Sequence, residues 1–368
     1  MRSTVLKSTF GIVIAFASAC ASQVWAADPF YKGKRISMII NFGAGSATDI
    51  DGRVFAKHLS KHIEGEPSII VQNMEGSGGR HGALYLGEIA PKDGTTIGFL
   101  SGAAWNYASQ PETFRVDFRS YEFAGYSGGT EVYYVRSDVA PGVRQPSDLM
   151  KVKSLVSGGV AATSGRDISI RMTLDMLGVP FRHVTGYSSG ARARLALQGN
   201  EIQFYADTLP GYKGAVENSL VKEGAVVPVY MNPLWDGATF TVDSQAKDVP
   251  VLPFQEFYKT FNNGRLPTGI LWESYLALVT LNGSMQRIIA LPPGAPKVAV
   301  EAVRIALGRL NTDKEFAAEA MKTFGYEPEY IADPDVAPKV RNALAVKPEI
   351  RSFVADYVKK GNAPVDKR

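Results

Sequence analysis

The architecture of this chain follows from one stretch near its start, Ile36-Ser37-Met38-Ile39-Ile40-Asn41-Phe42-Gly43-Ala44-Gly45-Ser46-Ala47-Thr48-Asp49-Ile50-Asp51. The apolar run Ile36–Ile40 predicts a buried strand, and the small residues of Gly43–Thr48 predict a turn. Apolar residues at helical spacing then predict an amphipathic helix. The first amides of such a helix have no intrahelical partners and lie at the positive end of its dipole. The turn therefore predicts a seat for a carboxylate or a phosphate.

Two other interpretations of this turn stay open. Gly43-Ala44-Gly45 also resembles the start of a dinucleotide-binding fingerprint, but the third glycine would fall where Asp49 or a neighbour stands. The lysine of a phosphate-binding Walker loop is missing as well. A turn with only a structural role is the second alternative.

The N-terminal residues predict export. Arg2 and Lys7 precede the apolar run Phe10–Ala19, and Val24-Trp25-Ala26 is typical of a cleavage site after Ala26. We therefore expect residues 1–26 to be a secretory signal peptide. The residues before Cys20 faintly resemble a lipoprotein cleavage box, which makes a lipid anchor at Cys20 the alternative.

Composition narrows the class of function. Cys20 is the only cysteine, so the mature chain would hold no disulfide, thiol nucleophile or cysteine metal site. Without Arg2 and Lys7 the 40 basic residues become 38 against 36 acidic ones, and the formal net charge falls from +4 to +2. A nearly neutral chain argues against nucleic acid as a partner. Its length suits two domains of ordinary size.

Strands and helices alternate through the first part of the chain. A strand over Pro67–Asn73, a helix over His81–Ala90 and a strand over Thr95–Leu100 follow the opening unit. Short connections of this kind predict a parallel sheet with right-handed crossovers. Ligands of such sheets bind at the carboxyl ends of the strands, so we expect the loops Gly43–Thr48 and Ser101–Trp105 to share one edge.

A second βα series follows and predicts a second lobe. Its predicted elements are, in order, a strand over Ser154–Ser157, a helix over Asp167–Leu177, a strand over Phe181–Val184, a helix over Ala191–Gln198 and a strand over Ile202–Ala206. We expect Val226–Tyr230 to return to the first lobe and Tyr275–Leu281 to be a strand. The chain then divides into lobe 1 (27–128 and 232–368, with C-terminal helices) and lobe 2 (129–231). A hinge is predicted near Ser127–Glu131 and Val229–Asn232.

Ordered motifs across residues 29–333 resemble one receptor family. They are Phe42–Asp49, Val71-Gln72-Asn73-Met74, Ala90-Pro91-Lys92-Asp93-Gly94-Thr95, Val184-Thr185-Gly186-Tyr187 and Pro292-Pro293-Gly294-Ala295-Pro296. Together they resemble the solute receptors of tripartite tricarboxylate transporters, the Bug receptor family. The resemblance implies a type II periplasmic binding-protein fold, in which two α/β lobes close on a small organic acid.

The resemblance also implies where the acid binds, mostly to backbone amides and hydroxyls of two loops. The first loop maps onto Ala44, Gly45, Ser46, Ala47, Thr48 and Asp49, and the second onto Gly186, Tyr187, Ser188, Ser189 and Gly190. Gly45-Ser46-Ala47 stands where the family often has Gly-Gly-Gly or Gly-Gly-Ser, and Ser189-Gly190 stands where Gly-Ser is commoner. Both departures change the ligand surroundings, so the solute is not predicted.

Three residues join this set from outside those loops. Ser164 and Arg166 lie at the start of a predicted helix, and Arg166 is either a bidentate partner for a second carboxylate or an exposed arginine. Asp207, at a strand end, either orients the site or caps a loop. His58 and His62 have metal-ligand spacing, but their lysine neighbours indicate a solvated face. We expect no metal, no cofactor and no catalytic residue.

The sequence thus predicts a periplasmic receptor that hands a small organic acid to a membrane transporter. Its expected partners are the acid and the large and small integral membrane subunits, and the receptor is expected to be a monomer. Two other functions stay open: an exported enzyme on the same two-lobed fold, and a sensing receptor for a signalling partner. No nucleophile–base motif favours the enzyme.

Overall fold

The computed structural model describes residues 28–187 and 189–361. The predicted signal peptide, Cys20 and Ser188 lie outside these ranges. The strands are β1 (Arg35–Ile40), β2 (Ser68–Asn73), β3 (Thr96–Ser101), β4 (Glu122–Ser127), β5 (Glu131–Arg136), β6 (Leu155–Gly159), β7 (Phe181–Thr185), β8 (Phe204–Thr208), β9 (Val226–Met231), β10 (Leu234–Trp235), β11 (Phe240–Thr241), β12 (Leu252–Pro253), β13 (Arg287–Leu291) and β14 (Tyr330–Ile331).

Twelve α-helices accompany the strands in the described ranges. They are α1 (Ala47–His62), α2 (Arg80–Glu88), α3 (Ala103–Ser109), α4 (Gly165–Leu177), α5 (Gly190–Gln198), α6 (Leu209–Tyr212), α7 (Phe254–Phe261), α8 (Ile270–Leu278), α9 (Lys297–Leu310), α10 (Lys314–Phe324), α11 (Val336–Leu344) and α12 (Pro348–Gly361). Two π-helical segments, Lys213–Val221 and Val279–Ser284, continue α6 and α8. None of these helices has the length and apolar character that a membrane crossing requires.

Two six-stranded sheets form the two lobes. The first has the order β14-β4-β13-β3-β1-β2 and the second β12-β9-β5-β8-β6-β7. β1, β2 and β3 are parallel, and so are β6, β7 and β8. Each sheet also contains a strand that the chain enters after crossing from the other lobe. This strand is β13 in the first sheet and β5 in the second, and it is antiparallel to both of its neighbours. The two lobes therefore share one topology.

The first sheet is covered on both faces. One apolar cluster joins it to α1, α9 and α10, through residues such as Phe55, Val303 and Phe316. A second cluster covers its other face and continues without a break through the second lobe. Parallel strands buried on both faces read as continuous apolar runs, which is why Ile36–Ile40 was recognisable.

Two expectations for the later chain are wrong. Val226–Tyr230 belongs to β9, which pairs with β5 in the second sheet rather than returning to the first. Tyr275–Leu281 is helical, since it is divided between α8 and the π-helical segment after it. A short apolar run fits a buried helix as well as a strand, and periodicity alone did not separate them.

The crossings between lobes lie at two places. Ser127 ends β4 in the first sheet and Glu131 begins β5 in the second, as the predicted hinge requires. The return follows the π-helical segment and reaches β13 at Arg287, well after Asn232. Hinge motion and the exact lobe boundaries stay predictions.

Candidate functional site

The first candidate loop connects β1 to α1. Ser46 caps the helix: its backbone is extended and its hydroxyl accepts a hydrogen bond from the Asp49 N–H at 3.2 Å. The sequence position of Asp49 also suits a helix cap, but Ser46 takes that role and Asp49 is the third residue of α1. The N–H groups of Ala47 and Thr48 have no hydrogen-bond partner among the described residues, and they remain donors at the positive end of α1.

Asp49 clamps this loop. Its carboxylate accepts hydrogen bonds from the Gly45 N–H at 2.8 Å, from Asn73 Nδ2 at 2.8 Å and from Arg53 Nε at 3.0 Å. Burial opposes ionisation, but these donors hold the pKa of Asp49 below its usual value. Arg53 balances the negative charge of Asp49. The positive end of the helix dipole is therefore not cancelled by Asp49 and can still attract an anion.

The second lobe has the same arrangement of a capping serine and a buried aspartate at the start of α4. Ser164 caps the helix as Ser46 caps α1, and Asp167 stands three residues later as Asp49 does. The Asp167 carboxylate accepts from the Val160 N–H at 3.0 Å and from the Thr185 hydroxyl at 2.8 Å, and it lies 3.1 Å from His183 Nε2. Ser164, a predicted site residue, also donates its hydroxyl to Asp167 at 2.6 Å.

The structure brings Arg166 and Asp207 to the carboxyl edge of the second sheet. Arg166 donates from Nε to Glu131 Oε1 at 3.0 Å and from a terminal nitrogen to the Tyr205 hydroxyl at 3.1 Å. The same nitrogen lies 4.0 Å from Asp207. The Arg166 side chain is 20% exposed, so the interpretation of a solvated arginine is wrong.

Arg194, Glu131 and Tyr205 complete this cluster and were not predicted. Arg194 donates to Asp207 Oδ1 at 2.9 Å, and its side chain is 21% exposed. Burial raises the pKa of Glu131, which Arg166 opposes. Two arginines thus face two carboxylates, and the cluster is formally neutral. Arg194 lies on the helix predicted at Ala191–Gln198, and Glu131 bounds the predicted hinge, but neither position indicated a role in ligand binding.

The start of α5 adjoins this cluster. Ser189 caps the helix by accepting from the Arg192 N–H at 3.3 Å, and no acidic residue lies in its first turn. A methyl group on Gly190 would lie 3.5 Å from Asp207 Oδ1 and 3.7 Å from an Arg166 nitrogen. The positive end of helix α5 therefore lies next to Asp207 and Arg166.

Gly186 and Tyr187 lie at the rim of the second loop. Gly186 is exposed with φ of 111°, which suits glycine. Tyr187 donates its backbone N–H to Gly159 O at 3.3 Å. Burial, and then the charge of Glu201, raise the pKa of its hydroxyl.

The loops of the first lobe meet at one edge, as predicted. Asn41 donates to Ser101 O at 2.8 Å and accepts from the Ser101 N–H at 2.9 Å. Beside them Arg287 donates to Asp51 at 3.0 Å and to the Ser101 hydroxyl at 2.8 Å. Arg287, whose side chain is 7% exposed, is a further arginine at a sheet edge that the sequence did not indicate.

The two predicted loops are not joined in this structure. No hydrogen bond or ion pair links residues 44–49 to residues 164–190 in the described part of the chain. The start of α4 instead adjoins the return crossing, since a methyl group on Gly165 would lie 2.6 Å from Asn282 Cγ. Whether both loops contact one ligand stays a prediction.

Two other features are structural. His58 lies 2.8 Å from Glu319 and His62 lies 2.8 Å from Asp313, which ties α1 to α10. Within residues 28–187 and 189–361 no group of His, Cys, Asp and Glu is arranged to hold a metal ion. Trp105 is 2% exposed and belongs to the core.

Two cavities lie away from the predicted ligand loops. One, of about 550 Å³, is an apolar groove beside β12 and α7. The other, of about 320 Å³, lies beside the crossings between the lobes, where Gly128 and Ser284 line it. None of the predicted ligand-binding residues lines either cavity.

Related proteins carry the names that the sequence motifs suggested. A UPF0065 protein in the gbd 5′ region of Cupriavidus necator is 28% identical over 207 residues, which are 53% of this chain and 59% of that protein. BugT of Bordetella pertussis is 36% identical over 104 residues, 28% of this chain and 30% of BugT. The chain thus spans less than two thirds of either relative. No family model matches it.

Solved structures share the fold along nearly the whole chain. The periplasmic binding protein BugD gives a TM-score of 0.59 at 18% identity, covering 90% of this chain and 99% of BugD. A TctC solute-binding protein from Polaromonas gives 0.60 at 17%, covering 90% and 99%. MatC from Rhodopseudomonas palustris, solved with bound malate, gives 0.58 at 17%, covering 88% and 99%. The predicted fold and the resemblance to these receptors are confirmed.

Proposed function

We propose that this chain is a periplasmic receptor that binds a small organic carboxylate between its two lobes and delivers it to a tripartite tricarboxylate-type membrane transporter. The fold supports a receptor, and MatC, which shares it, was solved with malate. The role is binding rather than catalysis.

The observation that carries the proposal is the neutral cluster at the start of α5. Arg166 and Arg194 are each about one-fifth exposed and held in place by Glu131, Tyr205 and Asp207. Guanidinium groups held in this way can offer their remaining N–H groups to a carboxylate without first being ordered. The dipole of α5 adds roughly half a positive charge, which favours an anion next to an otherwise balanced cluster.

The first lobe supplies the second half of the proposed seat. The amides of Ala47 and Thr48 lie at the start of α1, where Arg53 balances the charge of Asp49. Closure of the lobes would place these amides opposite α5, so that one carboxylate meets amides and the rest of the ligand meets the arginines. Backbone N–H groups at a helix start can bind a carboxylate without a positively charged side chain beside it.

The experiment is a thermal-shift screen of the chain from Ala27 onward. Small mono-, di- and tricarboxylic acids are compared with their amides, at matched ionic strength. A ligand at about 100 times its dissociation constant should add roughly 2.7 kcal/mol to the free energy of unfolding and raise the melting temperature by several degrees. A shift with an acid and not with its amide supports the proposal. No shift with any acid contradicts it.

Delivery needs a separate measurement. Cells that lack the receptor should lose uptake of the radiolabelled acid found in the screen, and full-length receptor should restore it. Binding without any effect on uptake would keep the receptor but contradict its role in transport, and would favour sensing.

A further inference from the structure

Asn282 lies between the two lobes, on the π-helical segment that returns the chain to the first sheet. A methyl group on Gly165, the first residue of α4 in the second lobe, would lie 2.6 Å from its Cγ atom. A methyl group on Gly102, directly after β3 in the first lobe, would lie 3.9 Å from its Oδ1 atom. Both glycines come after the carboxyl end of a parallel strand, β3 or β6. The side chain of Asn282 therefore borders the sheet edges that carry the proposed ligand loops.

The carboxamide of Asn282 has no partner in the protein. It is half-buried and makes no side-chain hydrogen bond with any residue of the described ranges. Its neighbours on the same segment do, since Thr280 donates to Leu276 O at 2.9 Å and Ser284 donates to Trp235 O at 3.0 Å. Polar groups that lose water on folding normally gain another hydrogen-bond partner. The Nδ2 donor and the Oδ1 acceptor of Asn282 are free to meet a ligand instead.

The start of α4 offers two more donors beside this carboxamide. The N–H groups of Gly165 and Arg166 have no hydrogen-bond partner among the described residues, and the capping hydroxyl of Ser164 accepts from the Asp167 N–H instead. Free amides at the positive end of a helix favour a carboxylate. Because Gly165 has no side chain, the carboxamide of Asn282 can lie directly against this helix start.

The segment that carries Asn282 is tied to the other crossing between the lobes. The carbonyl oxygen of Gly283 accepts from the Gly129 N–H at 3.1 Å, which joins the return crossing to the first one. π-helical turns within helices recur at functional sites. A ligand that Asn282 holds would therefore contact the crossings as well as the lobes.

We infer that Asn282 is a ligand-contacting residue, which donates from Nδ2 to a carboxylate at the start of α4 and couples this carboxylate to the crossings between the lobes. The contact rests on the proposed function, since it requires an acid between the lobes. It adds a donor from the return crossing to the donors of the two ligand loops. The donor is uncharged, so it leaves the charge balance of the neighbouring arginine cluster unchanged.

The test is calorimetric titration of the chain from Ala27 onward with sodium acetate, malate, adipate and citrate. For the acid that binds, Asn282→Ala removes the donor and should weaken binding by about tenfold. Asn282→Asp keeps the shape of the side chain but places a negative charge beside the carboxylate, and should weaken binding by about a hundredfold. Asn218→Asp is the matched control, because Asn218 is an exposed asparagine of the other π-helical segment. Its effect should stay within about twofold.

The outcomes separate this contact from the receptor function. If none of the four acids binds the unchanged chain, the proposed function and the contact both fail. If an acid binds and both Asn282 variants stay within about twofold, the contact alone is overturned and the receptor stands. An equal loss in Asn218→Asp would also overturn it, because the net charge of the chain would then explain the effect.

Gly165→Ala gives a second test that leaves the asparagine in place. Its methyl group would occupy the position of the carboxamide, so it should displace Asn282 and weaken binding by about fivefold. In the Asn282→Ala background the same substitution should have little effect, because the two residues act through one contact. Equal losses in both backgrounds would show that Gly165 acts without Asn282, which contradicts the inference. The melting temperature of each variant without acid shows whether it folds.

Discussion

Arg166 donates from Nε to Glu131 Oε1 at 3.0 Å and so ties the start of α4 to the first residue of β5. Glu131 is 4% exposed and lies directly after the crossing between the lobes. The pair therefore joins the candidate ligand site to the predicted hinge. Removing one partner of a buried pair leaves a charge that neither water nor protein satisfies.

Glu131→Ala should lower the free energy of unfolding by about 3 kcal/mol, because it leaves Arg166 with the Tyr205 hydroxyl as its closest partner. The measurement is urea unfolding. Arg166→Ala and the double variant complete a thermodynamic cycle, in which the double variant should cost clearly less than the sum of the two single variants. Additive costs would show that the pair does not act as a unit.

Arg194→Met should weaken binding of the acid found in the thermal screen by about tenfold, because it removes a guanidinium that Asp207 holds at the start of α5. Arg192→Met is the matched control: Arg192 is an exposed arginine two residues earlier on the same helix. Calorimetry of both variants checks the prediction. Equal effects in the two variants would mean that Arg194 acts only through the net charge of the lobe.

Local chemistry explains which features the sequence could predict. The apolar run before Gly43 and the serine caps at Ser46 and Ser164 act within a few residues, so strand, turn and helix were recognisable. The Arg287–Asp51 pair spans 236 positions, and Arg166–Glu131 joins a helix to an antiparallel strand. Such pairs depend on strand order and register, which local sequence does not contain.

The helix α8 shows a different limit. Trp272, Tyr275 and Leu278 are buried at helical spacing, yet the apolar residues around them hide the period. A buried strand and a buried helix have similar apolar runs, so this stretch fits a strand as well as a helix. Asp49 and Asp167 are a further case, since their roles as clamps depend on Asn73 and Thr185 at the ends of other strands.

A glycine-to-alanine substitution near the start of the capped helix should have unequal effects in the two lobes. A methyl group on Gly159 would lie 1.9 Å from Asp167 Oδ2, and that carboxylate is held by Val160, Thr185 and His183. Gly159→Ala should therefore lower the free energy of unfolding by about 2 kcal/mol or more. The comparison in the first lobe is Gly43, three residues before the cap Ser46.

A methyl group on Gly43 would lie 2.1 Å from Glu75 Oε2, but Glu75 is exposed and can rotate away. Gly43→Ala should cost less than about 0.5 kcal/mol, as surface substitutions usually do. Urea midpoints of the two variants give the comparison. A larger loss for Gly43→Ala would show that Glu75 is fixed in place and would revise our description of the first loop.

Acid should weaken the contact between α1 and α10 through Asp313. Its carboxylate caps α10 by accepting from the N–H groups of Glu315 and Phe316, and lies 2.8 Å from His62 Nε2. Burial opposes ionisation, but these contacts lower the pKa of Asp313 from 3.8 to about 2. Because the folded-state pKa lies below the unfolded one, the carboxylate stabilises the fold above pH 3.8 and loses this effect as the pH falls toward 2.

Asp313→Asn should therefore be less stable than the unchanged chain by roughly 2 kcal/mol near neutral pH, and the difference should shrink as the pH falls below about 4. Urea unfolding between neutral pH and pH 3 measures this difference. Asp335→Asn is the control, since Asp335 precedes α11 without a side-chain capping bond, and its effect should be small at every pH. A stability difference for Asp313→Asn that does not change with pH would mean that the capping geometry, and not the charge of the carboxylate, holds α10 against α1.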